Sequence, residues 1–279
     1  MSFILVSGVK QLDLRSPKVM GILNATPDSF FKGSRIRSNS AEVVDAAGAM
    51  LEAGASILDI GGQSTRPGSE TVSAEEELDR VYPIIEQIRS TFRDAWISLD
   101  TYYASVVRGC SDLGIDIVND ISAGEDDPNM LETVAAGGWI YIAMHKLGKP
   151  KWMQDNPTYQ KPIQEELLAY FTHKLETITS AGIHQWIIDP GFGFGKTIDH
   201  NYQLLKNLSY LRTLNTPILV GISRKSMIYK LLNISADDAL NGSSVLHFSA
   251  LQQGANILRV HDVKEAVETI ALFNKLQEV

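Results

Sequence analysis

The stretch WISLDTYYASVVRGCSDLGIDIVND, Trp96 to Asp120, decides the fold. It opens on a short apolar run, Trp96 to Leu99, that ends at Asp100. A helical pattern follows through Ala104 to Gly114, and a second apolar run, Ile115 to Val118, ends at Asn119 and Asp120. Runs this short and this continuously apolar suit parallel strands covered by helices rather than half-exposed surface strands. Gly114 stands where a helix ends in the left-handed conformation before the next strand begins.

The same unit recurs along the chain. Six further runs are Val19 to Leu23 before Asn24, Ser56 to Leu58 before Asp59, Trp139 to Met144 before His145, Trp186 to Ile188 before Asp189, Ile218 to Ile222 before Ser223, and Asn256 to Leu258 before Arg259. Between them lie amphipathic stretches. Val43, Ala47, Met50 and Leu51 share one helical face, as do Val263, Val267 and Ile270. Ser73 followed by Glu76 predicts a capping box, and Gly54, Gly182 and Gly254 repeat the helix-ending role of Gly114. Eight uninterrupted βα units in one chain of 279 residues predict a single-domain α/β protein, a (β/α)₈ TIM barrel over residues 18–279. An open doubly wound sheet suits such a series less well. Residues 1–17 precede the first barrel strand and are expected to cap the barrel bottom.

Hydrophobic residues make up 44% and charged residues 21%, values that permit a sizeable soluble core. A formal net charge of -8 argues against bulk attraction to nucleic acid or an anionic membrane. No run approaches the roughly 18 apolar residues that cross a bilayer. The first residues lack the pattern of a secretory signal, and the single cysteine, Cys110, permits no internal disulfide, so a cytoplasmic location is expected. Cys110 lies in a helical pattern and reads as a buried structural thiol.

In TIM barrels the reacting groups occupy the C-terminal strand ends and the loops after them. Here those ends carry Asn24, Asp59, Asp100, Asn119, His145, Asp189, Lys225 and the pair Arg259 and His261. Asp59 and Asp120 are equally compatible with turn caps. Three loops are unusually long or glycine-rich: Asn24 to Phe30 with Arg35 and Arg37 beyond it, Gly61 to Gly68, and Asp189 to Lys196. Three glycines interleaved with Phe192 and Phe194 make the last loop apolar yet flexible, which suits a flat ligand.

Taken together, NATPDSF, GGQSTRPG, SLDTY, IVNDIS, AMH, DPGFGFGK, GISRKSM and ILRVHDVKE resemble, in order and spacing, the dihydropteroate synthase family. The resemblance covers the chain from about Val19 onward. It implies displacement of pyrophosphate from 6-hydroxymethyl-7,8-dihydropterin pyrophosphate by the amine of p-aminobenzoate. By resemblance, Asp100, Asn119, Met144, Asp189, Lys225 and Arg259 bind the pterin. Asp189 would accept the ring N–H and exocyclic amine in parallel, as one carboxylate can. Asn24, Arg259 and His261 would take the pyrophosphate, with Asn24 ligating a Mg²⁺. Phe30, Thr65, Pro67, Phe194 and Ser226 would surround p-aminobenzoate. Asp100, Lys225, Arg259 and Asn24 are the residues implied in catalysis, and a homodimer is implied too.

The chain departs from the family pattern in the first loop, where Lys32 stands at a position usually held by aspartate. Lys32 would repel Arg66, so that loop is expected to close differently, with Asp28 or another acid facing Arg66. Gln63 stands for the usual glutamate and Tyr103 for the usual lysine, and neither is assigned to the reacting centre. The competing functions are a methyltetrahydrofolate-binding corrinoid methyltransferase on a related barrel and a non-catalytic pterin-binding paralogue. The SRKS and TPDSF stretches, which suit pyrophosphate and p-aminobenzoate, favour the synthase.

Overall fold

A computed structural model describes residues 3–25, 40–63, 71–148 and 157–278. A hairpin comes first, β1 (Ile4–Ser7) antiparallel to β2 (Lys10–Asp13). There follow β3 (Lys18–Asn24), α1 (Ser40–Glu52), β4 (Ile57–Gly61), α2 (Ala74–Thr91), β5 (Trp96–Asp100), α3 (Ala104–Gly109) and β6 (Ile117–Asp120). Next come α4 (Met130–Gly137), β7 (Ile140–Met144), α5 (Ile163–Ser180), β8 (Trp186–Asp189) and α6 (Ile198–Lys206). The chain ends with β9 (Leu219–Val220), α7 (Ser226–Leu232), α8 (Leu240–Gln252), β10 (Ile257–Val260) and α9 (Val263–Gln277).

The eight-stranded sheet has the order β8-β7-β6-β5-β4-β3-β10-β9. Its ends meet where Ile188 bridges Ile218 in parallel, so the sheet closes into a (β/α)₈ barrel and the open alternative falls. Gly54, Gly114, Gly182 and Gly254 all hold positive φ, as read from the sequence. The capping box is one-sided. Ser73 Oγ accepts from Glu76 N at 3.2 Å, but the Glu76 carboxylate turns away to pair with Arg80 one turn on.

Strand register fixes what faces the barrel axis, because every second residue points inward. Met20 is opposite Ile57, Ile57 opposite Trp96, Ile117 opposite Ile140, and Ile142 opposite Ile187. These side chains, with Leu219 and Ile257, form one apolar cluster, which also contains Leu5, Leu12 and Leu14 from the hairpin segment. The alternate residues, such as Leu58, Leu99, Val118, Ile188 and Leu258, pack outward against the helices in two larger clusters. At the foot of the barrel buried Asp116 accepts from Ser7 Oγ and Lys10 Nζ, each at 2.6 Å, and from Ile97 N at 2.9 Å. That carboxylate ties the hairpin to the barrel.

Two boundaries differ from the sequence reading in a way that matters for the site. Asp59 and Arg259 do not end their strands: β4 continues to Gly61 and β10 to Val260. Polar residues can lie within these strands because they satisfy one another inside the barrel, as described next. β9 is only two residues long, since the Ile218 N–H is taken by the Asn256 side chain at 3.0 Å instead of a strand ladder.

Candidate active site

Continuing the same register upward places polar residues above the apolar plug. Ile22 is opposite Asp59, Asp59 opposite Ser98, Gly61 opposite Asp100, Asp100 opposite Asn119, and Met144 opposite Asp189. Arg259 shares this inward set through its pairing with Met20. One parity rule therefore gathers Asp59, Asp100, Asn119, Asp189 and Arg259 in the barrel mouth. Asn24, the last residue of β3, lies opposite Gly61 on the same rim and is half-buried.

The centre of the constellation is Arg259. Its Nε donates to Asp59 at 2.6 Å and its Nη2 to Asp100 at 2.6 Å. Asn119 Nδ2 also donates to the Asp59 carboxylate, at 3.2 and 3.3 Å. Burial works against the Arg259 charge, but Asp59 and Asp100 outweigh it and raise its pKa, so the guanidinium remains charged. Burial pushes the Asp100 carboxyl up to about 8; Arg259 opposes the rise, and the nearby Asp59 charge adds to it. The physical cause is removal of the Asp100 carboxylate from water, which outweighs the attraction of the guanidinium.

After β9, the strand next to that of Arg259, Lys225 is aimed by strain in its neighbour. Arg224 holds φ +55°, a left-handed conformation uncommon for a residue with a Cβ. Its guanidinium makes two 2.8 Å bonds to Asp262, and its N–H donates to Ser243 Oγ at 2.9 Å, which together fix the turn. Lys225 consequently points inward, donates to Phe192 O at 2.5 Å, and lies 4.7 Å from the Phe194 ring centre. Burial pulls its amine down to about 8, against the attraction of Asp189.

Asp189 closes the pocket wall at the end of β8. Its Oδ1 accepts from Gly191 N at 2.7 Å. Gly191 adopts φ +68°, and a Cβ there would stand 1.9 Å from His145 O, so only glycine fits this turn. Burial raises the Asp189 carboxyl, while Lys225, the Gly191 N–H, Arg259 and Lys196 hold it down. Met144, buried beside Asp189, supplies apolar surface at the same level.

Around this centre, Ser226 begins α7, and the half-buried Phe194 lines the loop after β8. His261 lies exposed just beyond β10, its Nδ1 3.1 Å from Ser223 Oγ. Phe30, Thr65 and Pro67 lie outside the described residues, as do Asp28, Lys32, Arg35, Arg37 and Arg66. Gln63 and Tyr103 stay off the centre: Gln63 Nε2 donates to the Tyr102 hydroxyl at 2.8 Å, and the Tyr103 hydroxyl to Val72 O at 2.9 Å. Cys110 is buried in packing, and burial pushes its thiol up to about 12. Among the described residues no group of three or more His, Cys, Asp or Glu could hold a metal ion.

Sequence reasoning undervalued Asp59, the residue that organises the centre. A period-two count from Gly61 back through Asp59 to Ile57 would have set it facing inward, level with Ser98.

A family model described as pterin binding enzyme matches residues 20–261, from within β3 to just past β10. The chain belongs to this family. Dihydropteroate synthase of Escherichia coli K12 is 46% identical over 261 residues, covering 93% of this chain and 91% of that protein. A crystal structure of the Yersinia pestis dihydropteroate synthase with a sulfonamide drug complex superimposes with a TM-score of 0.93 at 43% identity, covering 99% of this chain and 100% of that one. The Xanthomonas albilineans dihydropteroate synthase with 4-aminobenzoic acid gives a TM-score of 0.92 at 36% identity, with 100% of both chains covered. Membership in the pterin-binding enzymes accords with a barrel mouth whose carboxylates, amide and cations face one another at the height of Asp189.

Proposed function

We propose that this chain is a dihydropteroate synthase, joining 6-hydroxymethyl-7,8-dihydropterin pyrophosphate to p-aminobenzoate with release of pyrophosphate. The observation that carries the reading is the convergence of Asp100, Asn119, Asp189, Lys225 and Arg259 at one end of a pterin-binding barrel.

The pterin ring enters edge-first. Asp189 accepts from the ring N–H and the exocyclic amine, a parallel pair of charge-assisted bonds. Asn119 meets the neighbouring edge, Asp100 the ring nitrogens of the other half, and Lys225 the ring carbonyl side. Met144 packs beneath the ring, and the Arg259 guanidinium lies over its face. Arg259 is already held in plane by two carboxylates 2.6 Å away, so stacking requires little further ordering.

The diphosphate tail faces Asn24, Arg259 and His261. A Mg²⁺ would be held here by Asn24, half-buried on the rim, since such an ion takes one or two protein oxygens plus phosphate and water. When bound it would neutralise charge on the diphosphate. Arg259 and His261 bind and orient the same group, and Asp100 steadies the cationic methylene left as pyrophosphate departs. The p-aminobenzoate amine then attacks that carbon, and the new C–N bond's surplus amine proton passes to the departing pyrophosphate or to water. Its ring is flanked by Phe194 and, in the first two loops, Phe30, Thr65 and Pro67, with its carboxylate near Ser226.

No helix among the described residues is long and apolar enough to cross a membrane. A cytoplasmic homodimer is the proposed state. Exposed Leu231 and Leu232 on α7, Val245 on α8, and Leu272 and Leu276 on α9 supply apolar surface for a second copy. Phe248 and Phe273, 6.1 Å apart, join α8 to α9 beneath it.

A coupled assay for pyrophosphate release tests the function. Release that requires p-aminobenzoate is expected; binding of the pterin substrate with no such release would overturn it and favour the non-catalytic paralogue.

A further inference from the structure

Lys196, the last residue of the glycine-rich loop, has no role in the scheme above, yet it is 2% exposed. Its Nζ lies 2.9 Å from Gly191 O, 3.1 Å from Phe194 O and 2.9 Å from His145 Nδ1. Two acceptors belong to its own loop and the third to the residue that follows β7. His145 N in turn donates to Asp189 O at 3.0 Å. Behind the imidazole, Tyr170 packs edge-on at 4.8 Å, and the Tyr159 hydroxyl donates to Gly195 O at 2.9 Å. A single side chain thus ties both arms of the loop to the neighbouring strand.

A buried ammonium is costly unless its N–H groups are hydrogen-bonded, and Lys196 meets that condition. The ionisable groups facing it are Asp189 on β8, His145 after β7, and Lys225 before α7. Burial drives Lys196 toward the neutral amine, and the Asp189 charge opposes this. Burial also holds His145 well below its ordinary pKa, so its ring stays neutral and offers Nδ1 as an acceptor. Three short contacts match the three donors of an ammonium, and a longer one of 3.4 Å reaches His145 O.

We propose that Lys196 is a positioning residue for the pterin site: its ammonium clamps the loop after β8 to His145 and supplies the positive charge behind the Asp189 carboxylate. The inference rests on the assignment of Asp189 to the pterin edge. It explains why a loop rich in glycine can present Phe194 and Asp189 at fixed positions.

Titration calorimetry with the pterin pyrophosphate, from acid to neutral pH, tests it in Lys196→Met, Lys196→Arg and Asp189→Ala. Removing a positive charge near a buried carboxylate raises its pKa, so the acid limb of binding in Lys196→Met should move to higher pH. Lys196→Arg keeps the charge and should keep the wild-type limb. A folded Lys196→Met with its limb unmoved overturns the proposal, because a purely structural clamp would weaken binding evenly at all pH values. If thermal unfolding shows that Lys196→Met does not fold, a displaced limb in Lys196→Arg overturns it instead. Wild-type binding by Asp189→Ala would remove the underlying assignment, a result separate from failure of the clamp.

Discussion

Asp59→Asn tests whether one buried carboxylate organises the barrel mouth. Asp59 has no exposed surface, and it accepts from Arg259 Nε at 2.6 Å and from Asn119 Nδ2 at 3.2 and 3.3 Å. Asparagine fills the same volume, so no cavity forms, but one of two acceptor oxygens becomes a donor. With its oxygen toward Arg259, the new amide faces Asn119 donor to donor; turned over, it leaves Arg259 Nε without a partner. Asn119 can flip to relieve the first conflict, but it then presents the opposite polarity to the ligand. A hydrogen bond to a charged group is worth about 1.5–3 kcal/mol. Arg259 keeps its 2.6 Å bond to Asp100, so the expected loss is near the lower end, about 2 kcal/mol. For a chain of this size that lowers Tm by roughly 5 °C. Asp100 should respond as well. The Asp59 charge helps raise its carboxyl toward 8, so removing that charge lowers the Asp100 pKa and extends its ionised range to lower pH. Urea unfolding and the pH profile of pyrophosphate release measure the two effects. A variant as stable as the parent, with an unchanged profile, would refute the reasoning.

Three further outcomes follow from individual residues. Lys225 is held down to about 8 by burial, so it loses its charge as pH rises through that value and kcat/KM for the pterin substrate should fall on the alkaline side. In Lys225→Arg the alkaline fall should disappear; pH-rate profiles with the same fall in both proteins would exclude Lys225 as its source. Gly191→Ala forces a Cβ to within 1.9 Å of His145 O at φ +68°, and thermal unfolding should show a loss of about 3 kcal/mol or more. Cys110, with its thiol pushed up to about 12 by burial, should resist alkylation until urea unfolds the chain, as mass spectrometry would read.

The barrel was legible in the sequence because each strand is a short apolar run followed by a polar rim residue, and glycines mark the helix ends. Asn119, Asp189, Lys225 and Arg259 could be chosen from those ends without knowing any contact. What stayed hidden was pairing across the barrel. The bond between Asp59 and Arg259 joins residues 200 positions apart, and no local periodicity encodes it. Asp59 was as compatible with a turn cap as with a site residue, whereas the ladder to β5 carries β4 through Gly61. Arg259 looked terminal, yet Val260 still pairs with Gly21. Lys196 stood in the sequence only as the end of the glycine-rich loop. Only the fold brings Gly191 O, Phe194 O and His145 Nδ1 around its nitrogen.

The most direct measurement is a cocrystal structure with 6-hydroxymethyl-7,8-dihydropterin pyrophosphate and Mg²⁺. The Asp189 carboxylate should receive two parallel donors from the ring edge, with the diphosphate against Asn24, Arg259 and His261. A ring seated away from Asp189, or a diphosphate remote from the β3 and β10 rim, would contradict the proposed site.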